Sequence, residues 1–165
     1  MRTLIQLNTP KSPREIILED FEIDLPISGG WGYDLASACV IEKNDSSVNQ
    51  NIPFNGLEVE RFFVEKRIYE EMIIQSEPDQ QFSGIKWNPD SQSLITLGTK
   101  NFDKLIYQVE GFDPEVWREL VSKYAEIKKT GRRELIPALN NYRDSKKYTF
   151  EREFYFDITS FFNIR

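Results

Sequence analysis

From Tyr148 to Ile158 every second side chain is large, in the order Tyr148, Phe150, Arg152, Phe154, Phe156, Ile158. At the 100° per residue of a helix these groups would scatter around the axis, whereas at the two-residue period of a strand they form one face. Such a strand cannot stand alone. Its backbone groups need neighbouring strands and its apolar face needs a covering layer. Arg152 adds a further demand, because a guanidinium on a covered face cannot escape by losing its proton. Glu151 and Glu153 point to the opposite face, so Arg152 needs a carboxylate from another element, such as a helix, or else a cleft where an anionic ligand binds. It is therefore a candidate buried charge or anion site.

The covering layer is also legible. In residues 113–129, Asp113 can cap, Pro114 takes the first helical position, and Trp117, Leu120, Val121, Tyr124 and Ile127 make an apolar stripe. Lys128 and Lys129 suit the C-terminal dipole and Gly131 stops the helix. Phe112 can staple against Trp117, which reads as a structural residue. A second helix starts at Asn55 with Glu58 bonding back, and Val59, Phe62, Phe63, Tyr69, Met72 and Ile73 make its face. Arg61–Glu65, Lys66–Glu70 and Arg67–Glu71 are i,i+4 pairs assigned to its outer side.

Other strands are expected from shorter patterns. Residues 21–25 alternate Phe-Glu-Ile-Asp-Leu, a half-buried strand. Residues 14–20 either extend it or form a helical turn after the Ser12-Pro13-Arg14-Glu15 capping pattern. Residues 35–42 are apolar on both parities, which fits a covered strand or a short helix. Ile85/Trp87 and Ile95/Leu97 flank Asn88-Pro89-Asp90-Ser91, a type I turn signature that predicts a hairpin. Leu105, Tyr107 and Val109 give another strand, residues 44–55 a polar connector, and 132–142 a short helix interrupted at Pro137. Ile and Val total 24 residues against four Ala, a composition that favours sheet. Strands and helices segregate rather than alternate. The expectation is an α+β fold in one domain spanning 1–165, with a largely antiparallel sheet of about five or six strands against two long amphipathic helices.

The chain has 165 residues, no histidine and one cysteine. Nucleophiles activated by imidazole are therefore excluded, as are zinc, facial-triad iron and type-1 copper sites. No metal and no cofactor are expected. Residues 45–51 place oxygens at odd positions of a calcium loop, but Gln50 and Gly56 stand where Gly and Glu are required. Cys39 lies in the apolar run Ala38-Cys39-Val40-Ile41 and reads as an inert buried thiol. A lone thiol, no apolar leader segment and no 18-residue apolar run fit a cytoplasmic protein without a membrane span.

Two features suggest a partner. Between Glu15 and Asp24 there are five acids and no base, and on a strand Asp20, Glu22 and Asp24 would share one face as a docking strip for a basic protein. The loop Ser28-Gly29-Gly30-Trp31-Gly32-Tyr33 matches no phosphate-binding motif; its glycines either let Trp31 or Tyr33 lie against backbone, or present them as exposed anchors. The net charge of −6 divides as −5, −5 and +4 over residues 1–58, 59–117 and 118–165. With a pI near 4.9 nucleic acid is disfavoured. The reading is a non-catalytic interaction module, such as an immunity-type or other inhibitory protein for a basic partner, with homo-oligomers also compatible. The alternative is a small-ligand binder or hydrolase-like enzyme using carboxylates in a pocket floored by the sheet.

Overall fold

The structure, a computed structural model, describes residues 2–45 and 54–162. It is an α+β fold. Four α-helices surround a five-stranded sheet: α1 (Pro13–Phe21), β1 (Ile27–Gly29), β2 (Cys39–Ile41), α2 (Gly56–Tyr69), β3 (Ser83–Leu97), β4 (Lys100–Phe112), α3 (Pro114–Thr130), α4 (Ile136–Lys146) and β5 (Tyr148–Asp157). The strand order is β1-β2-β5-β4-β3. The pairing is antiparallel except between β2 and β5, where Cys39 opposes Phe156 and Val40 opposes Asp157 in a parallel pair. The sheet is thus mixed, largely antiparallel with one parallel pair, and α1 and the short α4, the latter overlapping the helix read over 132–142, join the two long helices read from sequence.

The strand that opened the argument occupies the centre. On β5, Phe154 and Phe156 are fully buried. Helix α2 lies across that face, with Phe63 meeting Phe156 edge-on at 5.4 Å and Ile17 of α1 in the same core. A separate small core joins Phe112, Leu120, Ile127 and Leu139, so α3 and α4 form an arm with its own packing. Helix α4 starts with Pro137 inside its first turn, where a missing N–H costs nothing, so the proline begins the helix instead of interrupting it.

Two local expectations are corrected. Residues 13–21 are helical: Ser12 caps through its side chain to the Glu15 amide, Pro13 follows, and Glu22 closes the helix in the left-handed region at φ 58°. Cap and proline outweigh the five-residue alternation, so no strand carries Asp20, Glu22 and Asp24 on one face. The predicted turn at 88–91 is also absent. Strand β3 runs through it with a register shift between Pro89 and Ser91. As the sheet's edge strand it tolerates a residue with no N–H, and a bulge absorbs the extra residue. The chain reverses instead at Gly98, φ +63°, between the paired Leu97 and Lys100. The 46–53 part of the polar connector lies outside the described residues.

Candidate functional site

Helix α2 carries charge on the side that faces the sheet. Glu60 and Arg67 of α2, and Glu71 in the π-helical turn Glu70–Ile74 that continues it, are buried there, spaced by seven and four residues and so on one face. Spacing alone assigns Arg67 and Glu71 to the outer side; apolar residues on several flanks of the helix instead turn this pair inward. Arg67 Nε donates to Glu71 Oε2 at 3.0 Å, and Arg67 Nη1 donates to the carbonyls of Trp31 at 3.1 Å and Gly32 at 3.3 Å. Its guanidinium lies 3.9 Å from the ring centres of both Tyr33 and Phe154. Arg152 reaches the same carboxylate from β5, with Nε 3.1 Å from Oε1 and Nη2 2.6 Å from Oε2. The Tyr33 hydroxyl donates to Glu71 as well and accepts from the Leu7 amide.

Gly32 makes the approach of this loop feasible. At φ +84° its backbone bonds β5 through Tyr155 N at 2.9 Å, and a Cβ there would fall 2.9 Å from the Tyr155 carbonyl oxygen. Burial lowers the Arg67 pKa while Glu71 opposes that shift. Burial and the neighbouring carboxylate push the Tyr33 phenol up to about 12, so it remains a donor. Two guanidiniums thus share one carboxylate. Arg67 Nη2 is buried without a hydrogen-bond acceptor among the described residues. The cluster clamps α2, β5, the 30–33 loop and the N-terminal segment together.

The other residues singled out from sequence fall as follows. Trp31 is a core residue, 6 % exposed, with its indole N–H on Thr9 Oγ1 at 3.1 Å, and Tyr33 is held in the cluster. Neither is an exposed anchor. Asp24 takes a two-pronged bond from Arg14, at 2.7 and 3.0 Å, and Arg14 also pairs with Asp45. Glu22 is exposed at the end of α1. Asp20 is exposed beside the fully buried Glu70, whose pKa burial and the Asp20 carboxyl push up to about 8; Gln75 donates to Glu70 Oε1 at 2.8 Å, and Glu70 Oε2 has no hydrogen-bond partner among the described residues. Asp20, Glu22 and Asp24 therefore form no common strip, because they share no strand face and Asp24 is paired with Arg14. Cys39 is buried, and burial raises its pKa well above the thiol norm.

What remains available lies on the α3–α4 arm. Residues 114–147 hold nine cations and five carboxylates, a net +4, whereas the rest of the chain carries −10. Lys123, Lys128, Lys129, Arg132, Arg133 and Lys146 are all exposed. Cavities of about 470, 430 and 320 Å³ lie against these helices. Another, of about 420 Å³, lies between α2 and the bulged part of β3. None of the four is lined by Arg67, Glu71 or Arg152. The excess of base late in the chain was visible in sequence; that it sits on one arm beside cavities required the fold.

Among the described residues, no group of His, Cys, Asp and Glu could hold a metal ion, and no helix is long and apolar enough to cross a membrane. The chain is defined by its architecture, a mixed five-stranded α+β sheet with a two-helix basic arm. No family model matches it, and neither the curated proteins nor the solved structures contain a match.

Proposed function

We propose that this chain is a non-catalytic interaction module whose α3–α4 arm docks onto an acidic surface of a partner protein. The observation that carries this reading is the separation of charge: +4 on one exposed arm against −10 on the remainder. The acid-rich segment presents no common strand face to a basic partner, and Asp24 is already paired with Arg14, so this reading rests on the basic arm and the sign of the partner reverses. A field divided in this way orients an approaching acidic surface and speeds encounter. A long polyanion suits it less, since a duplex passing the arm would meet the acidic body.

The test is capture with the immobilised chain, in parallel with a Lys128→Glu/Lys129→Glu/Arg132→Glu/Arg133→Glu variant, followed by association kinetics on the purified partner. An acidic partner whose association slows by about tenfold or more in the variant, and slows likewise with salt, supports the reading. A basic partner bound equally by both forms overturns it. One observation favours a second reading as a small-ligand binder using carboxylates. The 420 Å³ cavity is floored by Leu105 and Tyr107 of the sheet and holds the buried Glu60 with Asp90 and Arg61. Glu60→Gln leaving partner binding intact while abolishing binding of a small cationic ligand would distinguish the two.

A further inference from the structure

The largest of the four cavities sits where the arm meets the sheet, and its chemistry is separate from the acidic-partner reading. Lys86 and Glu110 are cross-strand neighbours, and Glu110 alternates with the inward-facing Val109, so both stand on the face opposite α2. Lys147, at the end of α4, takes the Glu110 carboxylate at 3.3 Å. Lys86, although directly opposite Glu110, forms no ion pair among the described residues. Arg143 completes the set, with Nε on Asp144 at 3.2 Å and Nη1 toward the Tyr124 hydroxyl at 3.4 Å. Three cations and one carboxylate thus line the cavity, with Asp144 outside the lining on Arg143 and 4.0 Å from Lys147.

The apolar wall is fixed by close packing. Trp117 stacks on Phe112 with ring centres 5.4 Å apart and planes 28° from parallel. Gly84, at φ +61°, lies so close beneath the indole that a Cβ would fall 2.4 Å from Trp117 Cε3. Any other residue at 84 would push the ring away. The cavity measures about 470 Å³, within the range that holds a small organic ligand.

We propose that this cavity binds a small organic anion, a phosphate or carboxylate on a planar apolar body, with Lys86, Arg143 and Lys147 on the anion and the Trp117–Phe112 wall on the body. The test uses the full chain with AMP and 1-naphthyl phosphate as probes, and adenosine, 1-naphthol and inorganic phosphate as their separate halves. Binding is read by calorimetry and by the indole N–H signals of the three tryptophans. Support is saturable binding of at least one phosphate ester about tenfold tighter than either of its halves, and weakened about tenfold by Lys86→Glu. The signal that moves should be the one missing in Trp117→Phe. Lys86 is exposed and unpaired among the described residues, so its variant should melt with the parent chain, and binding loss without melting loss is then interpretable. Three results overturn the proposal: no saturation by either ester at about 10 mM, inorganic phosphate binding as tightly as its esters, or Lys86→Glu without effect. None of these bears on the acidic partner, whose test leaves Lys86 in place.

Discussion

The body built on α1, α2 and the sheet and the arm built on α3 and α4 handle charge in opposite ways. The body takes ionisable groups inside. Glu60 and Arg67 on α2, and Glu70 and Glu71 in the turn Glu70–Ile74 that continues it, are all nearly or wholly buried. The arm leaves its cations outside and packs a small core of four buried residues. An inward charge loses its hydration and becomes dependent on its partners, so removing one partner is severe even where the pair itself adds little net stability. An outward charge keeps its water and costs little to change. The body's charges therefore belong to folding and the arm's are free for recognition.

The most forceful way to break this comparison is to remove the shared carboxylate. Glu71→Ala leaves two guanidiniums and the Tyr33 hydroxyl without their acceptor and should cost about 3–5 kcal/mol in denaturant unfolding. Arg152→Met should cost less, since Arg67 still satisfies Glu71 and Arg152 is not wholly enclosed. Glu119→Ala on the arm, whose Lys123 partner is half-exposed, should cost under about 1 kcal/mol. Equal losses at Glu71 and Glu119 would erase the distinction.

Trp117→Ala tests how firmly the arm is packed. A fully buried tryptophan loses roughly 3–5 kcal/mol on truncation. Trp117 is only partly buried, so the expected loss is about 2 kcal/mol, measured by urea unfolding. A loss as large as that of Glu71→Ala would make the arm as integral as the body.

These contrasts also show why only part of the molecule was legible in advance. The β5 face, the α3 stripe and the strand through Leu105, Tyr107 and Val109 follow from patterns long enough to exclude the other period; Asp113, expected to cap α3, instead gives its carboxylate to Arg2 and Tyr148. The run 21–25 is shorter than one cap signal outweighs, and the turn signature at 88–91 is tolerated as a bulge because β3 happens to be an edge. Arg67 and Glu71 looked like an ordinary surface pair because spacing along a helix does not say which flank meets the sheet. Apolar residues at Val64 and Ile68, beside the pair, were the available signal. The cavity joins Lys86 to Arg143 and Lys147 across nearly sixty residues, and only strand order could bring them together.

The raised pKa of the buried Glu70 gives the body a stability that depends on pH. Glu70 binds its proton more tightly folded than unfolded, because ionising it would place a second charge in a buried site beside Asp20. Its contribution is complete below the ordinary carboxylate pKa and is lost as pH rises through about 8. Within that window stability should fall by up to about 1.4 kcal/mol per pH unit. Melts between about pH 5 and 9 should show the decline in the parent chain and a flatter profile in Glu70→Gln. A parent profile already flat would mean that Glu70 ionises in the folded chain as readily as in the unfolded one.

The smallest effect on stability should accompany the largest effect on recognition. Reversing Lys128, Lys129, Arg132 and Arg133 together changes four exposed side chains at and just beyond the end of α3. Two of them, Lys128 and Lys129, favour the helix's negative C-terminal end, and losing that interaction costs about 0.3–1 kcal/mol each at low salt. Raising salt screens this cost. Unfolding at high salt should therefore place the variant within about 1 kcal/mol of the parent chain, while at low salt the gap widens modestly. Removing four positive charges and adding four negative ones takes the net charge from −6 to −14, which adds a small repulsive penalty of the same salt dependence. If the variant instead unfolds as readily as Glu71→Ala at high salt, the arm's cations are holding the fold. In that case they are not available to a partner, and the division of labour between body and arm fails.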